Sequence, residues 1–88
     1  MSDASGAAGG GVAEAVLAYL AKAIVDDPDA VEVETEQRRR GTELHLVVAP
    51  DDVGMVIGRR GRTIQALRTV VRAAGAAEGR EVLVDVDG

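Results

Sequence analysis

The stretch that decides how this chain folds is VIGRRGRTIQALRTVVRAAG, Val56 to Gly75. Two glycines hold two arginines between them, a third arginine follows, and a patterned run begins at once. Glycine costs backbone entropy and clustered arginine costs repulsion, so the pairing makes most sense where something anionic lies against the backbone. Beyond the loop, Ile64, Leu67, Val71 and Ala74 recur at helical spacing as a buried stripe, with Val70 at its edge. Gln65, Arg68, Thr69 and Arg72, with Arg62 close by, line the neighbouring face. One helix therefore carries core on one side and basic surface on another, and Gly75 and Gly79 read as its exit.

Working outward, Pro50-Asp51-Asp52 precedes a short helix over Val53 to Ile57, which either aspartate can cap. Upstream, residues 42–49 alternate, with Leu44, Leu46 and Val48 facing one way. Residues 31–37 alternate too, with Val31, Val33 and Thr35 opposite Glu32, Glu34 and Glu36. Arg38 to Gly41 turns the chain between them, which predicts an antiparallel hairpin. An amphipathic helix occupies 12–26, its apolar line drawn through Val12, Val16, Leu20 and Ile24 and joined by Leu17 and Ala23. It stops at Asp26-Asp27-Pro28. Downstream, Glu81 to Val86 alternates as a last strand, with Val82, Val84 and Val86 inward.

The order is helix, strand, strand, short helix, glycine loop, long helix, strand. A helical crossover between neighbouring strands makes them parallel, so the chain is predicted to be α+β, a three-stranded mixed sheet with three helices on one face. With 88 residues it builds one small domain, over 12–88, behind a glycine-rich tail expected to be disordered over 1–11.

The 47% hydrophobic content is almost entirely aliphatic, and Tyr19 is the only aromatic residue. There is no cysteine, which excludes disulfides, thiolate nucleophiles and thiolate metal sites and suits a reducing interior. The N-terminal residues have neither the basic segment nor the apolar run of a signal or membrane span, and a cytoplasmic location is expected. Net charge is −5, but it is uneven: −7 over 1–37, zero over 38–54, +5 over 55–80 and −3 over 81–88. A basic block on an acidic body suggests one local anion site, against the ordinary alternative of a solvated arginine face.

As a bare pattern, two glycines three apart says little in a chain with 11 glycines, and Gly6 and Gly9 make another. Context lifts Gly58 and Gly61: an apolar helix ends at Ile57 and a patterned one begins at about Arg62. The first amides of that helix have no intrahelical partner and carry the positive end of its dipole, so a phosphate fits there. Val56, Ile57 and Ile64 with the nearby sheet edge could wall an aliphatic groove for unstacked bases, which suits single-stranded RNA or DNA.

These residues resemble a KH domain, whose signature is the VIGxxG loop between two helices. Placing the helix and strand extension before the core resembles the type II arrangement, α-β-β-α-α-β. More narrowly, VIGRRGRTIQALRTVVRAAG is similar to the small stand-alone bacterial KH proteins of the KhpA (YlqC) family. The resemblance implies a non-catalytic protein that binds single-stranded RNA without cofactor or metal, as an RNA chaperone or post-transcriptional regulator linked to bacterial cell elongation and division. It implies that Gly58, Arg59, Arg60 and Gly61 clamp phosphate, with Val56, Ile57, Ile64 and Leu67 in the groove or the core beneath; Arg62 and Arg68, from the basic face of the helix, complete the expected RNA-binding set. It also implies a homodimer, and pairing with a larger KH protein of the KhpB (Jag) type.

Other chemistries find little material. Gly61-Arg62-Thr63 echoes a P-loop, but position 56 is Val where that motif needs glycine, and no strand precedes the loop directly. His45 has no nucleophile beside it and reads as a surface or edge residue. Arg38 to Arg40 reads equally as an extension of the RNA track or a solvated turn. The rival reading is a protein-interaction module that dimerises through the same fold, its interface bordering Val56 to Leu67.

Overall fold

A computed structural model describes residues 11–87. Apart from Gly11, the segment expected to be a disordered tail lies outside the described residues. Among these residues three α-helices, α1 (Val12–Ile24), α2 (Val53–Ile57) and α3 (Arg62–Ala77), and three strands, β1 (Glu32–Arg38), β2 (Gly41–Val47) and β3 (Val82–Asp87), follow in the predicted order α-β-β-α-α-β. Single 3-10 turns at Pro28–Ala30, Pro50–Asp52 and Arg59–Gly61 join them. The sheet order is β1-β2-β3, with β1 antiparallel and β3 parallel to β2. This is the mixed α+β sheet the pattern predicted.

The hairpin register pairs Arg38 with Gly41, so the turn itself is Arg39-Arg40. On β2, Thr42, Leu44, Leu46 and the following Val48 are buried in alternation, as the period of a half-buried strand requires. Val82 and Val84 join them from β3. On β1, Val31 is buried just before the strand and Val33 half-buried, but Thr35, predicted inward, is exposed. An edge strand that runs past the covering helices has nothing to bury its far end against.

The α1 stripe is rotated from the one expected. Ala13, Leu17 and Ala21 are buried, Val16, Leu20 and Ile24 are half-buried, and Val12 and Ala23 are exposed. Helix α1 packs on α3, and alanines at two of the three central positions let the two helices approach. Glu14, assigned to a polar face, is also buried, for a reason given below.

Two further expectations change. Asp52 occupies the N-cap position of α2, but its side chain makes no cap hydrogen bond. Instead Asp52 Oδ2 accepts the Asp27 backbone N–H at 3.0 Å, tying the end of α1 to the start of α2. Gly75 is not the exit of α3 but a buried residue inside it, pressed against Val82. The exit is Gly79 alone, at φ 73°. There the Arg80 N–H bonds the Gly75 carbonyl at 2.8 Å and the Gly79 N–H bonds Ala76 at 2.9 Å, the pairing of a glycine-terminated helix.

Candidate nucleic-acid interface

Helix α2 lasts only five residues because Gly58 takes φ 77°, ψ 174°, a region closed to other residues. Its N–H still bonds the Gly54 carbonyl at 2.9 Å, so the turn stays fastened to α2. A Cβ at Gly58 would stand 2.6 Å from the Thr63 Cβ and 2.9 Å from the Thr63 backbone nitrogen. Gly58 therefore lets the chain double back against the first turn of α3. Gly61 also has positive φ, 72°, but a Cβ there would meet nothing nearer than Ile64 Cγ2 at 3.9 Å. Its glycine is needed for conformation and not for space.

Between them Arg60 holds φ 58°, ψ 26°, the one non-glycine residue with positive φ among those described. A left-handed arginine costs about 1 kcal/mol, which the closed turn around it must offset. Arg59 and Arg60 are exposed, and among the described residues the side chain of neither has a hydrogen bond or ion pair. Two free guanidiniums thus flank a turn whose own amides are largely engaged, the Gly61 N–H bonding the Gly58 carbonyl at 3.1 Å and the Arg62 N–H the Arg59 carbonyl, so the turn offers an anion side-chain charge and the positive end of the α3 dipole. Such a place can hold an anionic backbone.

Of the other predicted residues, Arg62 is exposed at the first position of α3 and Ile57 is 36% exposed at the end of α2. Val56, Ile64 and Leu67 are buried in the core beneath the loop, so they support the turn from below. Arg68 is half-buried and reaches β3, its Nε donating to the Val84 carbonyl at 3.3 Å. Loop, Ile57 and Arg62 are therefore brought together, while Arg68 stands further along the helix.

Arg80 leaves the basic block. Its guanidinium bonds both carboxylate oxygens of Glu14, at 2.9 and 2.8 Å, and lies 3.3 Å from Glu78. These carboxylates push its pKa up, and they neutralise it locally. The sequence offered no signal for this pair, whose members are 66 positions apart.

The outer face of the sheet has the opposite sign. Register brings Glu32, Glu34 and Glu36 of β1 beside Glu43 and His45 of β2 and Asp85 and Asp87 of β3. His45 Nε2 is 3.1 Å from Glu36 Oε1, and His45 Nδ1 is 3.8 Å from Asp85 Oδ2. The hydrogen bond with Glu36, with Glu43 and Asp85 nearby, raises the imidazole pKa above its ordinary value. Glu36, Glu43 and His45, or His45, Asp85 and Asp87, lie close enough to share a cation, though nothing else marks them as ligands. Arg38, a possible extension of the basic track, is engaged by Glu36 and Glu43 on this face. A polyanion is repelled by this acidic face and attracted to the arginines beside the glycine loop.

Residues 14–86 match the model of the family described as KhpA/KhpB, KH domain. The chain is 55% identical over 74 residues to the RNA-binding protein KhpA of Streptomyces coelicolor, covering 84% of this chain and 94% of that one. It is 48% identical over 67 residues to the protein of the same name from Caldanaerobacter subterraneus, covering 76% and 89%. The corresponding match to Mycobacterium tuberculosis is 50% over 68 residues, covering 77% and 81%. Among solved structures, a single-residue variant of Aquifex aeolicus Era bound to GDP and aluminium fluoride superimposes with a TM-score of 0.64 at 15% identity, over 85% of this chain and 29% of Era. That likeness is one of fold.

Proposed function

The chain belongs to the KhpA/KhpB KH-domain family, and from that membership we propose that it binds single-stranded RNA through the Gly58–Gly61 loop. The observation that carries the proposal is the doubled-back turn at Gly58, which sets two arginine side chains without ion pairs beside the start of α3. In this reading Arg59, Arg60 and Arg62, with the positive end of the α3 dipole, hold about four nucleotides of backbone, as KH loops do. Bases lie toward Ile57 and the open edge of β3, and the buried Val56, Ile64 and Leu67 keep that surface in place. With no aromatic residue near the loop, bases are held by aliphatic contact and hydrogen bonds, so affinity per domain is modest. The acidic sheet face restricts binding to one side.

The relatives' printed names, RNA-binding protein KhpA, support the RNA class. We extend the proposal to a cytoplasmic RNA chaperone or post-transcriptional regulator, without catalysis, acting on cell elongation and division. None of the described helices is long and apolar enough to cross a membrane.

The test is fluorescence anisotropy with short single-stranded RNA at two salt concentrations, comparing the wild type with the double variant Arg59→Asp, Arg60→Asp. Salt-sensitive binding by the wild type and none by a folded double variant is the expected result. Equal behaviour of the two, or no binding by either, rejects the loop as an RNA clamp.

A second reading is favoured by Met55 and Ile57 on α2 and Val70 on α3, which are 41%, 36% and 46% exposed. Apolar side chains on the two helices flanking the loop suit association, as a homodimer or with a larger KH protein of the KhpB (Jag) type. A monomeric mass by light scattering at micromolar concentration rejects the homodimer.

A further inference from the structure

The basic face of α3 continues past the reach of a loop that holds about four nucleotides. Arg68 lies across β3, bonded to the Val84 carbonyl. The Glu81 and Asp87 carbonyls are taken by Thr42 and Val48 beside β2, so in a parallel pairing the alternate residues, Val84 among them, turn their backbone groups to the open side. Arg68 therefore marks the free edge of the sheet. One turn further, on the same side of the helix, stands Arg72. It is exposed and, among the described residues, makes no hydrogen bond or ion pair.

Arg72 and Leu83 line an open cleft of about 590 Å³ together with Ala76, Gly79, Glu81 and Val82. Arg80 also borders it, but Glu14 already binds that charge. Leu83 is 51% exposed, an apolar residue on a strand whose next outward positions are Asp85 and Asp87. A free guanidinium and an exposed aliphatic residue lining one cleft suit one nucleotide: phosphate on Arg72, and ribose or base against Leu83. The Glu81 carboxylate at the rim can accept from an exocyclic amine or a 2′-hydroxyl.

We infer that this cleft is a second nucleotide subsite, reached by the same RNA strand after it passes the loop and Arg68. It lies ~15 Å along α3 from Arg62, ten residues of helical rise. The inference rests on the loop being the RNA clamp and adds that binding depends on strand length. A strand that ends within the loop's own reach gains nothing from Arg72; a longer one does.

The test is anisotropy with two single-stranded RNAs, one of about four nucleotides and one of about ten, on wild type, Arg72→Ala and Leu83→Ser. Arg39→Ala, in the exposed hairpin turn, controls for net charge. The expected result is tighter binding of the longer RNA by the wild type, weakened about three- to tenfold by Arg72→Ala or Leu83→Ser. Affinity for the shorter RNA stays unchanged, and Arg39→Ala leaves both alone. The subsite is rejected, with the loop reading intact, if the wild type gains nothing from length. It is rejected in the same way if Arg72→Ala binds the longer RNA normally, or if Arg39→Ala weakens it equally. No binding of either RNA by the wild type rejects both.

Discussion

Arg80 clasps Glu14 from across the whole domain, with Nη1 2.9 Å from Oε1 and Nη2 2.8 Å from Oε2. Helix α1 starts at Gly11, which has no side chain to cap it. Glu78 does that work from the end of α3, its Oε2 accepting the Val12 N–H at 3.3 Å. The glycine exit of α3 is thus the anchor for the beginning of α1.

Glu14 is 8% exposed, and its hydrogen bonds from Arg80 hold its carboxyl below the ordinary carboxylate range, although burial alone would raise it. Because the folded pKa is depressed, the pair's contribution is complete above the unfolded value and is lost as pH falls through the folded one. Glu14→Gln is expected to cost on the order of 2 kcal/mol near neutrality. Urea midpoints of the two proteins should converge as the solution is acidified, and a gap that stays constant into acid rejects the account.

The two loop glycines are expected to differ. Gly58→Ala must move the Thr63 backbone and holds φ 77°, whereas Gly61→Ala has room and only the positive φ to bear. Gly61→Ala should cost about 1 kcal/mol and Gly58→Ala about 2–4 kcal/mol. Denaturant titration of both variants measures the order, and equal losses would mean that Thr63 does not set the requirement.

His45 should titrate above an ordinary histidine, first because of Glu36 and then because of Glu43 and Asp85. With a raised folded pKa, what it adds to stability is present in full below the unfolded pKa and disappears as pH rises through the folded one. Glu36→Gln should lower the midpoint followed by NMR of the ring protons. An unchanged midpoint would assign the shift elsewhere.

Much of this was legible in local pattern. Strict alternation in Leu44, Leu46 and Val48 placed the central strand, and the spacing of Ile64, Leu67 and Val71 placed α3, because each reports a period that one buried face imposes. The glycine loop was legible from its position between two helices. What failed depended on partners distant in sequence. The α1 stripe turned toward Ala13 and Ala21 because a neighbouring helix needed room, which no property of α1 alone reveals. Asp52 looked like a cap because capping is the local use of aspartate, but its partner is the Asp27 amide. Arg80 was counted with the loop arginines, since charge read along a chain cannot tell a free guanidinium from a paired one.

Gly75 was read as a helix terminator for the same reason, and its true role can be measured. Inside a helix, glycine to alanine should stabilise by about 0.5–1 kcal/mol. Here the new Cβ would collide with Val82 Cγ2 and lie 3.2 Å from Val82 Cβ and 3.3 Å from the Arg80 carbonyl oxygen. Overpacking of this kind costs about 1–3 kcal/mol, so Gly75→Ala should be destabilising on balance. Val82→Ala should itself cost about 2 kcal/mol by opening a cavity at a residue 3% exposed. In the Val82→Ala background the colliding methyl is gone while the contacts at 3.2 and 3.3 Å remain, and Gly75→Ala should lose most of its cost. A double-mutant cycle by urea unfolding should therefore show coupling of about 1–3 kcal/mol. If Gly75→Ala costs the same with and without the valine methyls, contact with the Val82 methyls does not explain the glycine. The cleft at Arg72 would then owe its shape to something other than that contact.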